Sequence, residues 1–493
     1  VQVAFLALFV LLFLRTKYGT SPVAGDFFFR FDPLILVVTS VASRVLVRAA
    51  LPALLVVVAT LVFGRFFCGF VCPLGTTIDL ADAAIRHKSE PGTRLRQTKY
   101  AILVFLLVSA ALGVSFIGFF DPLVIMERTL ALVFYPVGTY VAGLFGATRV
   151  AAVAETLVAL LTFAGILGLG FIAPRFWCRN LCPLGGIFAL AARFSLLKFS
   201  IPVGCKQCGV CEGVCPTGAI RGLERGSSIA PTVDPGECID CMACRYRCPQ
   251  AGISYGVRAR PALFDLGRRE LLAGLGAGIV LAPLARNLLH LRMAGRLVRP
   301  PGALPESDFL AACLRCDRCI KACPSGCLQP ATLEAGAYGF WTPRAVPRIG
   351  ACERNCHLCG QVCPTGAIRR LSLEEKSFAK IGTAVVDRSR CLAWEHDRHC
   401  LVCDEACPYD AIRAVRDPVG LGAALRPWVN REACVGCGAC EARCPVDGPA
   451  AIQVYSLGEE RRRTGSYKTD ARIQQRQCGE SEPEEIPSGF IQE

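Results

Sequence analysis

The sequence predicts a two-part fold: an α-helical membrane domain of four helices in two parallel repeats, followed by α+β bacterial-type [4Fe-4S] ferredoxin modules. Three observations predict it. Hydrophobic residues make up 53% of the 493-residue chain, and their long uncharged runs concentrate before residue 175. That same region holds a duplicated motif, and the 30 cysteines of the chain recur in spaced groups.

The helical part comes first. Uncharged apolar stretches at 1–14, 49–64, 100–120 and 156–174 are each near the length of one bilayer crossing or slightly short of it. A further stretch, 129–148, contains Pro136 and several glycines, which make it a poor continuous helix. FDPL at 31–34 leads to CGFVCPLG at 68–75, and FDPL at 120–123 leads to CRNLCPLG at 178–185. Two copies in one orientation need an even number of crossings each, so 129–148 is expected to be re-entrant or interfacial. Arg86, Lys88, Arg94, Arg96 and Lys99 place the loop 65–99, and with it both CPLG motifs, on the cytoplasmic side.

Parallel repeats are commonly related by an axis along the membrane normal, which would bring Cys68, Cys72, Cys178 and Cys182 together. They are read as one four-thiolate site, holding either an additional cluster or redox dithiols; the plainer alternative is that small sulfur side chains pack where helices meet. Asp32 and Asp121 invite a quinone or proton site, but Asp-Pro is also an ordinary helix start and is read as that.

The cysteine groups carry the strongest signal. Cys205, Cys208, Cys211 and Cys215 form Cys-x2-Cys-x2-Cys-x3-Cys-Pro, and Cys238, Cys241, Cys244 and Cys248 repeat it. Three closely spaced thiolates bind three corners of a [4Fe-4S] cube, and the fourth cysteine of each run reaches the other cluster. One cluster is therefore assigned Cys205, Cys208, Cys211 and Cys248, and the other Cys238, Cys241, Cys244 and Cys215. Zinc needs only four ligands in two pairs and has no use for this doubled spacing.

Four more groups follow: Cys313, Cys316, Cys319, Cys323; Cys352, Cys356, Cys359, Cys363; Cys391, Cys400, Cys403, Cys407; and Cys434, Cys437, Cys440, Cys444. The outer two are regular and the middle two have widened first gaps, which favours nested pairing, first with fourth and second with third; consecutive pairing is the open alternative. Six [4Fe-4S] clusters are expected in all. Only Cys327 and Cys478 are left over: Cys327 takes the place of the alanine in CPTGAI, and Cys478 falls in a polar tail expected to be disordered.

Other chemistries are missing. There is no Cys-x-x-Cys-His for haem attachment, His357, His396 and His399 read as surface residues beside cluster ligands, and GLGAG at 274–278 lacks the context of a dinucleotide fingerprint. The net charge of +14 comes from dispersed arginines, with no nucleic-acid-binding motif, so no nucleic-acid partner is expected.

Between the cysteine-rich regions lies DLGRRELLAGLGAGIVLAP at 265–283. Clusters are assembled in the cytoplasm, and Arg268-Arg269 before a mildly apolar run fits a twin-arginine export signal. It would be an uncleaved fifth crossing that hands the later clusters to the periplasm. The opposing reading is a buried or interfacial helix, since the run is short and Arg286, Arg292, Arg296 and Arg299 follow it.

On these motifs, residues 1–256 resemble the NapH-type membrane quinol dehydrogenase, with four helices, two Cys-x3-Cys-Pro motifs and a two-cluster ferredoxin. Residues 265–456, through CLRCDRCIKACP, CLAWEHDRHCLVCDEACP and CVGCGACEARCP, resemble the NapG and MauM type of four-cluster ferredoxin. The resemblance implies a fusion of two electron-transfer proteins that takes electrons from membrane quinol, or from a cytoplasmic donor, to a periplasmic reductase or cytochrome. The lipid and quinone pool are then its surroundings, and the bacterial inner membrane its location. The expected domains are 1–199 (membrane), 200–256 (two clusters), 257–300 (signal anchor and linker), 301–456 (four clusters) and 457–493 (tail). No catalytic constellation appears beyond electron transfer with quinol dehydrogenase activity. The membrane module also resembles the copper-reducing accessory protein CcoG, so an assembly or maturation factor is the alternative, and a wholly cytoplasmic, membrane-tethered polyferredoxin is the third reading.

Overall fold

The computed structural model describes residues 1–16, 26–85, 94–141, 153–202, 205–222, 231–257, 267–287, 296–416 and 423–469. Arg86, Lys88, Arg292 and Cys478, and residues 142–148 of the ambiguous stretch, lie outside these.

The first part is helical, but its helices are shorter than the apolar runs that encode them. Residues 100–120 were expected as one crossing; the chain forms Thr98–Ala111, turns through left-handed Gly113, and restarts at Ile117–Phe120. Residues 49–64 yield Ala53–Phe63, stopped by Gly64 at φ 85°. At 1.5 Å per residue, the 14 residues of Gln2–Arg15 and the 16 of Val153–Gly168 fall short of the roughly 20 that a bilayer core needs. The helix Arg268–Asn287 has 20 residues, but it includes Arg268, Arg269, Glu270 and Arg286. Among the described residues no helix is long and apolar enough to cross a membrane. This overturns the four-helix membrane domain, the fifth crossing and the multi-pass inner-membrane placement. The outer faces stay apolar all the same, with Leu54, Leu55, Val58, Leu157 and Leu161 exposed.

The duplication is real in three dimensions. Asp32 caps Pro33–Ser43 and Asp121 caps Pro122–Thr129, each through its own side chain, with proline in the first turn. Cys72 and Cys182 likewise cap Pro73–Ala84 and Pro183–Ala192. Beyond Thr129 the chain stays helical through a π turn, Leu130–Phe134, into Tyr135–Val141. The wider turn precedes Pro136, which has no N–H to offer the usual ladder.

Residues 268–283 of the arginine-led segment lie in the helix Arg268–Asn287, which packs along Thr98–Ala111, and 265–266 lie outside the described residues. Gly274, Gly278 and Ala282 are its buried face, and a Cβ on Gly274 would stand 2.3 Å from the Ala101 carbonyl oxygen. Small residues four apart let two backbones close on each other, while Arg268 and Arg269 stand exposed.

The cysteine-rich parts are built from two-stranded antiparallel ribbons, and the ribbons mark the modules. Leu197–Ser200 pairs with Ser254–Val257, closing around the first two cysteine groups. Thr383–Val386 pairs with Ile452–Tyr455, closing around the last two. The first stretch of the expected loose tail packs back instead: Tyr467 is fully buried beside Leu371 and Ala379.

Candidate metal centres

Each regular cysteine group winds around its centre by the same device. The residues on either side of the second cysteine are left-handed: Asp240 (φ 56°) and Met242 (φ 63°) around Cys241, Arg315 (φ 58°) and Asp317 (φ 57°) around Cys316, and Gly436 and Gly438 around Cys437. For a non-glycine residue this conformation costs roughly 1–2 kcal/mol, and it turns successive sulfurs inward. A helical turn that includes the third cysteine, such as Ala243–Arg247 or Ala439–Arg443, then carries the fourth away toward a neighbouring centre.

The cavities show where each fourth cysteine goes. Cys205, Cys208, Cys211 and Cys248 line one. Cys313, Cys316, Cys319 and Cys363 line another, Cys391, Cys400, Cys403 and Cys444 a third, and Cys434, Cys437, Cys440 and Cys407 a fourth. Cys215 faces Cys238, Cys241 and Cys244, and Cys323 faces Cys352, Cys356 and Cys359. Nested pairing is thus wrong: the last four groups pair consecutively. The physical reason is the strand pairing between 383–386 and 452–455, which folds the last two groups into one closed unit.

Cys327 sits where Ala219, Ala367 and Ala411 sit in the other CPxxA turns and is as buried as they are. In these turns a backbone N–H folds back on the cysteine, as from Ala219 to Cys215 Sγ and from Ala411 to Cys407 Sγ, both at 3.3 Å. Such bonds favour a thiolate and tune any cluster it holds. His396 and His399 are exposed and His357 is half-buried.

Cys68, Cys72, Cys178 and Cys182 do meet, lining one cavity with Arg65, Phe67 and Pro122. Cys72 Sγ accepts from Gly75 N at 3.4 Å and Cys182 Sγ from Gly185 N at 3.3 Å, so each sulfur receives an N–H at the start of a helix. Burial pushes the thiols of Cys72 and Cys182 well up, their neighbouring cysteines adding to it, and burial takes Cys178 to about 11. Left to themselves these sulfurs hold their protons at neutral pH, whereas a bound cationic group would release them.

Tetrahedral zinc, with 2.3 Å bonds, would draw four sulfurs to within roughly 3.8 Å of one another. Among the described residues no three His, Cys, Asp or Glu side chains converge on a single-ion site. The sulfurs ring spaces instead, and all-thiolate ligation of a larger cube suits that arrangement.

Sequence reasoning missed the cations around these centres. Arg65 and Arg175 stand three residues before Cys68 and Cys178, so the repeat extends to Arg-Phe-(Phe/Trp)-Cys-x3-Cys-Pro-Leu-Gly. Both are almost fully buried. Arg65 approaches Cys68 Sγ at 3.9 Å, and Arg175 donates to the Cys68 carbonyl at 2.9 Å and pairs with Asp79. Burial alone would lower both guanidinium pKa values, but Cys68 and Glu237 raise Arg65, and Asp79 with Cys178 raises Arg175. Arg96 and Lys99, expected in a basic cytoplasmic loop, are buried clamps: Arg96 donates to the Gly218 carbonyl at 3.0 Å, and Lys99 meets Glu237 at 2.7 Å.

Those contacts fasten neighbouring centres together. Arg65 donates to the Gly236 carbonyl at 2.7 Å, just before Cys238, while Gly69 abuts the Ile239 carbonyl. On the other side, Cys316 and Leu314 share one apolar core with Cys72 and Cys182. Arg315 donates to the Ser115 carbonyl at 3.0 Å, Arg128 lies 3.7 Å from the Trp341 ring, and Arg318 pairs with Glu127 at 3.5 Å. Further on, Cys352 N donates to the Cys437 carbonyl at 2.8 Å.

Residues 45–91 and 156–202, the two CPLG regions, match a family model described as a 4Fe-4S binding domain; 204–251 match a 4Fe-4S dicluster domain, and 427–449 match another 4Fe-4S binding domain. Fold, cysteine sets and family models together define an iron–sulfur electron-transfer protein of ferredoxin type with several [4Fe-4S] sites. The methylamine utilization ferredoxin-type protein MauM of Paracoccus denitrificans is 39% identical over 207 residues, covering 40% of this chain and 87% of that protein. The ferredoxin-type protein NapG of Escherichia coli is 36% identical over 210 residues, covering 40% of this chain and 90% of that protein. The chain belongs to the MauM and NapG family of ferredoxin-type proteins through that part of its length. The methylamine utilization ferredoxin-type protein MauN of Paracoccus denitrificans is also similar, 31% identical over 189 residues, covering 36% of this chain and 59% of that protein.

Proposed function

We propose that the chain is a linear electron conductor in which six paired cysteine sets hold [4Fe-4S] clusters and the four CPLG cysteines hold a seventh. Bound clusters supply one-electron storage; the chain supplies ligands, N–H donors, flanking cations and exclusion of water. In domain terms, 200–256 and 301–456 carry the six sets and 1–199 carries the seventh. The observation that carries this reading is the position of the four CPLG cysteines. They are tied to the Cys238 set through Arg65 and the Gly69 contact, and to the Cys313 set through a shared apolar core. The swapped fourth cysteines and the Cys352–Cys437 hydrogen bond extend the series in both directions.

A quinol is the candidate donor, supported by the NapH-like cysteine motifs and by exposed apolar faces on which a lipophilic donor would partition. A one-electron donor from the cytoplasm is the other. The acceptor is a reductase or cytochrome, as the resemblance to the NapG and MauM type implies. The test is removal of the gene. Electron transfer predicts a partner enzyme that is inactive yet fully loaded with its own cofactor. A partner lacking its cofactor would instead favour a maturation role, a reading suggested by the resemblance to CcoG.

A further inference from the structure

Asp32 and Asp121 each do ordinary capping work with one oxygen. Asp32 Oδ1 accepts from Leu34 N at 2.8 Å and Ile35 N at 3.2 Å, and Asp121 Oδ1 accepts from Leu123 N and Val124 N, both at 2.9 Å. Their second oxygens are not explained by capping. Asp32 Oδ2 and Asp121 Oδ2 are buried without a donor, both residues are 0% exposed, and the two carboxyl groups lie close enough to act directly on each other.

Among the described residues, no cation from the surrounding elements compensates them. The helices packed on Pro33–Ser43 and Pro122–Thr129 bring Lys99, Glu306, Asp308, Glu155, Asp79 and Asp82. Lys99 is engaged by Glu237, Glu306 by Arg299 and Arg461, Asp308 by Arg463, and Asp79 and Asp82 by Arg175. Glu155 lies near Glu334 and Arg344 rather than the aspartates, and Arg48, in the short turn against Pro33–Ser43, is exposed. Glu127 faces Arg318, and Arg128 donates to the Gly118 carbonyl at 2.8 Å.

We propose that Asp32 and Asp121 form a one-proton site between the two repeats, and that its occupancy is linked to the redox state of the four CPLG cysteines. Two carboxylates in contact in an apolar core cannot both stay ionised, so one proton is held between them. Burial and the neighbouring Asp121 raise Asp32 far up, and burial raises Asp121 to about 6. At neutral pH the pair therefore carries one proton and one negative charge. Pro122, the residue after Asp121, lines the cavity ringed by Cys68, Cys72, Cys178 and Cys182. An electron added there makes this low-dielectric region more negative, and the pair answers by taking a second proton from solvent. One electron enters with one proton, and both leave on reoxidation. The link rests on the four cysteines being a redox centre, as proposed above; the proton site does not.

The test is infrared difference spectroscopy on the whole protein, with electron paramagnetic resonance recorded in parallel. At pH 8 the wild type should show a protonated-carboxyl band that disappears in Asp32→Asn, because asparagine keeps the helix cap and leaves Asp121 alone and ionised. Reduction should about double the wild-type band. Absence of the band at pH 8 would overturn the proton site. A band indifferent to a reduction that the resonance signal registers would overturn the link alone. A band present while the CPLG centre takes no electron would overturn the link together with the reading beneath it.

Discussion

Replacing Gly69 by alanine should loosen the junction between the CPLG centre and the two-cluster module without touching a ligand. A Cβ at Gly69 would lie 2.1 Å from the Ile239 carbonyl oxygen, a backbone atom that cannot rotate away. Restoring an ordinary contact of 3.4 Å requires the two backbones to part by about 1.3 Å. Overpacking of this kind costs typically about 1–3 kcal/mol, which shifts the docked equilibrium by roughly 5- to 150-fold at 1.4 kcal/mol per decade. Hydrogen–deuterium exchange reads that shift directly: amides of residues 236–241 should exchange faster by that factor, while those of 383–386 and 452–455 should not change. Unaltered exchange at 236–241 in Gly69→Ala would refute the idea that this contact holds the two centres together.

Three further outcomes follow from the same geometry. Cys363→Ser should alter the resonance signal of the Cys313 set and leave the Cys391 set intact; nested pairing would give the reverse. Arg175→Gln removes a buried positive charge beside Cys68 and Cys178, so the CPLG centre should become harder to reduce, by about 60–130 mV for a charged contact of roughly 1.5–3 kcal/mol; an unchanged potential in redox titration would refute this. Lys99 is held down to about 8 by burial, with Glu237 opposing. The folded state then binds fewer protons than the unfolded state between about pH 8 and the ordinary lysine value, so stability should rise with pH across that window. Lys99→Gln should flatten the slope in denaturant titrations, and a slope unchanged by the substitution would count against the assignment.

Much of the site was legible in the sequence because the chemistry fixes the spacing. The fourth cysteine of each run, before proline, was expected to reach the partner cluster, and Cys215 and Cys248 do so; the left-handed turns around Cys241 and Cys316 emerge only in the fold. The two Asp-Pro pairs likewise announced capped helix starts at Asp32 and Asp121, whereas the matching caps at Cys72 and Cys182 emerge only in the fold. Pairing of the later groups was not legible from gap widths, because it is set by the ribbon joining Thr383–Val386 to Ile452–Tyr455.

The apolar runs misled for a different reason. Hydropathy counts uncharged residues without seeing that Gly64, Gly113 and the Asp-Pro starts cut them into short helices. The buried cations escaped notice because Arg65, Arg96 and Lys99 look in sequence like the basic flank of an apolar segment. Only the fold reveals Glu237 and the Gly218 and Gly236 carbonyls as their partners. The extended repeat, arginine three residues before the first CPLG cysteine in both copies, was the signal that could have found two of them.

The most direct test of the account is an iron and acid-labile sulfide count, with Mössbauer spectroscopy, on the anaerobically purified wild type and on a Cys72→Ser, Cys182→Ser variant. Seven [4Fe-4S] clusters predict about 28 irons per chain, falling to about 24 in the variant. About 24 irons in both proteins would remove the seventh cluster and leave a gap in the conductor between the Cys238 and Cys313 sets.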